Sequence, residues 1–385
     1  NWSLATNTGK NLLSPAKTPK ANLQFLTFFV NTVKAIHDHA DVLRACIASA
    51  GNDHRLGANE APPAIISIFI GEYLTRVLDD LEKNVKAAMS PEDKTELKMD
   101  LGRIPQILLD NTDRNRTSPF AFTGNKFEMR GVGSKMNCAK PMTTLNTIVA
   151  KQLTDFKKEV DTLIDKKNLK KDEAVFNVLR EYIKTSKRIR FDGDGYSGDW
   201  GKEAKKRKLS NNKTTPEALQ VLTSKESLSL FKEMNVMSEI EIKARQGVEL
   251  EAYILHLQIE GRVFNELVYG HIIPAAILYQ NRMIKNLAGL KEVYGASFKK
   301  MAESQSAILE QISEHITQIK VKTDAMTEAR KTANKLTDLD KKATVYCEKV
   351  KPFFGEIRNH SDRLERIMDN EIWPLTKYRE LLFTK

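Results

Sequence analysis

The sequence predicts a helix-dominated chain with a small strand region confined to its first third. Two observations carry this. Short β-branched or aromatic runs, Ile65–Ile70, Phe120–Phe122 and Phe127–Val132, all fall before residue 133. From Thr215 onward almost every segment shows helical periodicity. A chain of 385 residues with 41% hydrophobic and 29% charged residues has material for one large domain or two.

Residues 1–22 are polar and read as loop or hairpin. Leu23 to Ala50 reads as one helix, with Leu26, Phe29, Val33, Ile36, Ala40, Leu43 and Ile47 at helical spacing. A Gly/Asn-rich loop carrying Arg55 and Glu60 follows, closed by Pro62-Pro63, and leads into the apolar run Ile65–Ile70. Glu72 to Ala88 is amphipathic and helical. Phe120–Phe122 and Phe127–Val132, separated by Thr123-Gly124-Asn125, form a hairpin signal. Gly131-Val132-Gly133 permits a bend, and Pro141 to Ile164 returns to helix. Phe191 to Trp200, FDGDGYSGDW, lacks the D-x-D-x-D-G spacing and closing glutamate of a calcium loop and reads as a turn cluster. Ile312, Ile316, Ile319, Thr323, Met326, Arg330 and Ala333 alternate steps of four and three, a coiled-coil-like seam. Lys341 to Asp369 is expected to fold back on it as a second long helix, kinked or broken at Pro352 and Gly355.

Composition narrows the function. No run is long and apolar enough to span a bilayer, so no membrane is expected. Three widely spaced cysteines without CxxC argue against a disulfide framework or a zinc site and imply a reducing, cytoplasmic compartment. The net charge of +11 is concentrated between Lys151 and Pro216, about +7 of it. Its basic runs lack interleaved aromatic residues for base stacking, so they read as a solvated helical surface with no nucleic-acid partner. His37, His39, His256, His271, His315 and His360 form no ligand pair along the sequence and read as structural or surface residues. With no initiating methionine, the chain is expected to be a piece of a longer polypeptide.

Two segments carry chemistry. In the first, the Arg55 fork suits a carboxylate or phosphate, and the Glu60 carboxylate sits on a loop able to close over a substrate. In the second, Asn115 to Arg130, cations and a carboxylate surround a short apolar strand, and Glu128 and Arg130 share one strand face. Arg55-Leu56 with Glu60-Ala61-Pro62, Asn115-Arg116-Thr117-Ser118 and Glu128-Met129-Arg130 together resemble the active-site segments of glutamine synthetase, most closely the type III form.

That resemblance implies an α+β fold. Residues 1–164 would be the C-terminal half of the catalytic domain, a curved antiparallel sheet with flanking helices. Residues 165–254 would be a basic, helical continuation, and 255–385 a type III helical tail with long antiparallel helices. It implies a glutamate–ammonia ligase using ATP and Mg2+ or Mn2+, with glutamate and ammonium as substrates, assembled as a homo-oligomer, a double-ring dodecamer. By the same resemblance Glu60 is the flap carboxylate that deprotonates ammonium, and Arg116 stabilises the phosphoryl group in transfer. Arg55 and Arg130 bind glutamate, Glu128 ligates metal, and Lys126 and Ser3 contact the nucleotide.

The sequence also departs from the family pattern. Arg55 and Glu60 stand one residue closer than in the common bacterial and eukaryotic forms. Ala121 stands where a second phosphate-binding arginine is expected, so Lys126 or Arg114 compensates or the nucleotide is held differently. Glu128 alone cannot hold two dications, and the remaining metal ligands would precede Asn1. Rival readings are a γ-glutamyl ligase for another amine and a non-catalytic scaffold of the same fold.

Overall fold

The computed structural model describes residues 1–15, 19–56, 61, 63–83, 118–133 and 136–383. The chain divides into two compact units, Asn1–Glu249 and Leu250–Lys385.

In the first unit the polar N-terminus is a hairpin. Ala5 pairs with Asn11, and Gly9 turns the chain at φ +82°. Helix α1 (Pro19–Asp38) buries Phe25, Leu26, Phe29, Val30, Val33 and Ile36 along one face. The single helix expected from Leu23 to Ala50 is in fact broken into two, and a third begins where it was expected to end. The backbone leaves helical geometry at His39 (φ −121°, ψ 28°), α2 occupies Ala40–Cys46, and α3 (Ala50–His54) begins at a new cap, where the Ser49 hydroxyl accepts from Asn52 N. Hydrophobic spacing runs on through the break at His39 because α1 and α2 face the same core.

Strand β1 is Ile68–Phe69, and the whole run Ile65–Ile70 is buried. Helix α4 (Glu72–Lys83) follows Gly71, whose φ of +82° suits glycine. Strands β2 (Phe120–Phe122) and β3 (Phe127–Met129) form the expected hairpin. The sheet order is β1-β2-β3. It is mixed rather than purely antiparallel: β1 runs parallel to β2, with Ile68 opposite Phe120 and Phe69 opposite Ala121. Parallel strands need a long crossover, and α4 lies in that connection. Trp2 extends the sheet beyond β3, its N–H and C=O both bonded to Phe127 at 2.8 Å. Phe127 is the hub of the core, its ring 5.1 Å from Phe120 and Phe122 and 5.8 Å from Phe29, centroid to centroid.

Helices α5 (Ala139–Lys167) and α6 (Lys171–Thr185) pack on α1; left-handed Asn168 (φ 51°) ends α5. The Gly/Asp-rich turn leads into α7 (Gly198–Lys206) and stacks Phe191 on Trp200, with the Arg207 guanidinium over both rings. Its Asp192 carboxylate accepts from Ile70 N, Gly71 N and Thr75 Oγ1, fastening this turn to the start of α4. Helices α8 (Thr215–Gln220), with a Thr214/Glu217 capping box, and α9 (Lys225–Glu233) precede α10 (Glu239–Leu267). The division between the units falls within α10.

The second unit is helical: α11 (Ile273–Tyr294), the single turn α12 (Phe298–Met301), α13 (Glu303–Asn334), α14 (Leu339–Val345) and α15 (Pro352–Ile367), with one more turn at Tyr378–Leu381. The expected seam is largely present on α13: Ile312, Ile319, Thr323, Met326 and Ala333 are buried, Ile316 and Arg330 are half-buried, and His315 turns inward instead of Ile316. Tyr346, Val350, Ile357 and Leu364 are buried along the returning helices. The irregularity expected at Pro352 and Gly355 lies upstream of both. The helix widens to a π-turn at Tyr346–Val350, and Gly355 continues α15 without a break. Pro274 is likewise preceded by a π-turn, Val268–Ile272. A proline lacks the N–H for its i−4 carbonyl and crowds it, and a wider turn just before it relieves both defects.

Candidate functional site

Sheet register decides which side chains meet. Trp2 pairs with Phe127 on one side of β3, and Ala121 opposes Glu128 on the other. Strand alternation sends Trp2 and Phe127 to the aromatic core, where their ring centroids lie 6.5 Å apart. The opposite face then carries Ser3, Lys126, Glu128 and Arg130. Of the residues expected to do chemistry, four therefore share one face of a three-residue strand and its extensions.

Arg130 Nη2 bonds Glu128 Oε2 at 3.1 Å, with side chains 17% and 30% exposed. Arg130 Nη1 is buried without a hydrogen-bond partner, and Arg130 N is fixed to Pro119 O at 2.7 Å. A shielded guanidinium with one nitrogen unsatisfied beside its own carboxylate is suited to accept a second anion. Ser3 Oγ lies 3.0 Å from both Asn11 Oδ1 and the Asn125 carbonyl, so the N-terminal hairpin is pinned to the β2–β3 turn. The Lys126 carbonyl accepts from Thr123 N at 2.9 Å, closing that turn and setting Lys126 at its end. Ala121 is wholly buried opposite Glu128, with Lys126 diagonal to it on the same face.

Arg55 is placed differently from expectation. It stands at the end of α3 in helical geometry (φ −59°, ψ −49°) rather than on a loop, because the Ser49 cap starts a helix over Ala50–His54. Asn52 joins it to the second segment. Its amide nitrogen donates to Ile47 O and Gly131 O, both at 2.7 Å, and its Oδ1 accepts from Arg55 Nη1 at 2.7 Å. Gly133, at φ +80°, lies so close that a Cβ there would stand 2.8 Å from Arg55 Nη1. The expected bend at Gly131–Gly133 thus lets the chain after Arg130 pass directly over Arg55. Ser67 Oγ to Ser118 Oγ, 2.9 Å and buried, adds a second tie between the segments.

Glu60, Arg116 and Arg114 lie outside the described residues. Among the described residues no group of three or more His, Cys, Asp or Glu could hold a metal ion. Two clefts among them lie elsewhere. One of about 470 Å³ is lined by Lys158, Glu159, Leu163 and Glu181. The other, about 440 Å³, is lined by Lys187, Arg188, Arg190 and Arg207 with Asp79 and Asp192, and makes part of the basic segment a concave surface.

Sequence reasoning missed three features. Asn52, three residues before Arg55, is the residue that positions it. Arg44, 1% exposed, donates from Nε to Asn212 O at 2.9 Å and lies 3.8 Å from Asp53, which also accepts from Thr215 Oγ1 at 2.6 Å. Burial holds the Arg44 pKa below its ordinary value, with Asp53 opposing the shift. His315 and His360 meet although 45 residues separate them. No short-range signal marks the last two contacts.

All three cysteines are free, and burial pushes the Cys46 thiol up to about 12, leaving it an unreactive core group. Among the described residues no helix is long and apolar enough to cross a membrane.

Comparison with known proteins shows what the chain is similar to. Residues 174–291 match the family model of the glutamine synthetase C-terminal domain. Along its whole length the chain is 50% identical to a glutamine synthetase of Bacteroides fragilis (strain YCH46), covering 53% of that protein. It is 38% identical to a type-3 glutamine synthetase of Dictyostelium discoideum and 34% to a glutamine synthetase of Butyrivibrio fibrisolvens, covering 52% and 53% of them. The chain spans about half the length of the curated relatives it matches.

Proposed function

We propose that the chain belongs to the glutamine synthetase family and supplies one part of the active site of an ATP-dependent glutamate–ammonia ligase. The observation that supports this best is the polar face of β3, with Ser3, Lys126, Glu128 and Arg130 in register and Arg55 tethered beside them through Asn52.

A carboxylate oxygen is a poor leaving group, so the reaction proceeds through γ-glutamyl phosphate. The glutamate side chain takes the γ-phosphoryl group of ATP; ammonia then attacks the acyl carbon, and phosphate departs. On this reading Arg130 and Arg55 hold the glutamate carboxylates, and the unsatisfied Nη1 of Arg130 gives the first a reason to accept one. Lys126 and Ser3 lie on the nucleotide side, with Lys126 diagonal to Ala121 and placed to compensate for the arginine missing there. Arg116 would stabilise the transferring phosphoryl group, and Glu60 would take a proton from ammonium.

Glu128 can offer one oxygen ligand to Mg2+ or Mn2+, which would neutralise phosphate charge in this family's chemistry. The described residues alone do not complete a six-oxygen shell. We assign residues 1–164 and 165–254 to catalytic scaffold and 255–385 to assembly. On α10, Leu255, Ile259 and Val263 recur every fourth residue at 46–53% exposure, an apolar stripe that supports a homo-oligomer, in this family a dodecamer. The free cysteines support a reducing, cytoplasmic setting.

The test is glutamine formation by the protein containing this chain. Glu60→Ala is expected to lower ammonia-dependent turnover far more than ATP binding. Equal losses in both would remove the assigned role. A product with an amine other than ammonia, identified by mass spectrometry, would redirect the reading to a related ligase. Absence of metal-dependent ATP turnover would leave a scaffold.

A further inference from the structure

His315 on α13 and His360 on α15 meet inside the second unit. Their Nδ1 atoms are 3.3 Å apart, and the rings are tilted by 57° with centroids 5.3 Å apart. His315 is 6% exposed, and the contact is flanked by buried Ile312 and Ile319 on one helix and Ile357 and Leu364 on the other. At 3.3 Å one Nδ1 carries the proton and the other presents its lone pair.

The charged groups act unequally on the two rings: at His315 Glu314 outweighs Arg363, whereas at His360 the neighbouring His315, Lys322 and Arg363 together outweigh Glu314. Glu314 favours protonation of both rings and Arg363 opposes it, while Lys322, which opposes it at His360, is paired with Glu356 at 2.5 Å. Burial is the largest influence on each ring and holds both below the ordinary histidine range, so the neutral imidazole, the form that ligates metals, prevails near neutrality.

Two nitrogens bound to one tetrahedral ion at about 2.0–2.1 Å each stand about 3.3 Å apart. We propose that His315 and His360 form a two-point site for a borderline transition-metal dication such as Zn2+, which replaces the shared proton and staples α13 to α15. On binding, the ring that carries Nδ1–H shifts its proton to Nε2. Both Nδ1 lone pairs then face the ion, and no proton leaves the pair. Water fills the open positions, and the neighbouring Glu314 carboxylate is the protein group whose charge favours the ion. Paired imidazoles select zinc, nickel or copper over magnesium, so this site differs in kind from an oxygen-ligand site for the ligase metals.

The test uses the full protein containing this chain, in excess Mg2+ to fill oxygen-ligand sites. Zinc chloride is titrated by calorimetry, and melting is followed in parallel. One saturable zinc equivalent per chain and a rise in melting temperature are expected. His315→Gln and His360→Gln should each weaken that zinc by more than about tenfold and abolish the rise. His360 is the less buried partner, so its variant keeps the test decisive if His315→Gln fails to fold. No saturable zinc in the wild type, or unchanged zinc affinity in His360→Gln, would overturn the site. Neither result depends on ligase turnover.

Discussion

The two units hold their segments together by different means. In Asn1–Glu249, buried and half-buried polar side chains join stretches far apart in sequence. Asn52 reaches Gly131, Ser67 reaches Ser118, Thr215 reaches Asp53, and Asp192 reaches the start of α4. In Leu250–Lys385 the interior is an apolar seam, and His315, Thr323 and Lys377 are the buried polar residues among those described. An apolar seam fixes that helices pack; directional hydrogen bonds fix where individual atoms stand, because an unmade buried bond is costly. The first unit carries the candidate site, and there position matters most.

The contrast can be tested from its strongest point downward. Ile319→Ala, at a fully buried seam position, is expected to cost about 2–5 kcal/mol by chemical denaturation. A cost near zero would mean the seam is not a packed core. Asn52→Ala leaves the Ile47 and Gly131 carbonyls without this donor and removes the Asn52 tether of Arg55; a loss of about 2–4 kcal/mol is expected. If the proposed ligase reading holds, this variant should also raise KM for glutamate in the protein containing this chain, whereas Ile319→Ala should leave KM unchanged in the folded fraction. A shared kinetic profile would break the distinction between the units. Gly133→Ala combines a left-handed φ with a 2.8 Å clash against Arg55 and should cost about 1–2 kcal/mol.

Acid should act on both units through histidine. His39, His315 and His360 all have pKa values lowered mainly by burial. The folded state therefore binds protons less readily than the unfolded chain. The stability contributed by these residues is complete above about pH 6.5 and declines as pH falls through and below that value. Melting scans between pH 7.5 and about 5 check the direction; stability that rises on acidification would contradict the burial assigned to these rings. The smallest effect belongs to Lys320→Ala. Its exposed pair with Asp324 on α13 should contribute nothing measurable to melting.

Much of this was legible in the sequence because its signals are local. Periodicity marked α5 and the α13 seam, and Thr123-Gly124-Asn125 marked the β2–β3 hairpin. Family-ordered motifs marked Glu128 and Arg130, which the strand then placed together. The rest depends on contacts that no window of sequence contains. The parallel β1–β2 pairing joins residues 52 positions apart, and hydrophobic period alone does not give strand direction. The helix break at His39 was hidden because apolar spacing persists when consecutive helices face one core. Arg55 was expected on a loop because Gly and Asn favour turns; the Ser49 cap outweighed that preference.

The π-turns ahead of Pro274 and Pro352 have a consequence in time rather than in shape. At Pro352 the Lys351 amide reaches back to Tyr346 O at 2.9 Å, and the next residue offers no amide at all. The helix ladder is therefore thinnest at these two points. Deuterium should enter the amides around Val268–Ile272 and Tyr346–Val350 before it enters the midpoint of α13, making these the seams along which the long helices first part.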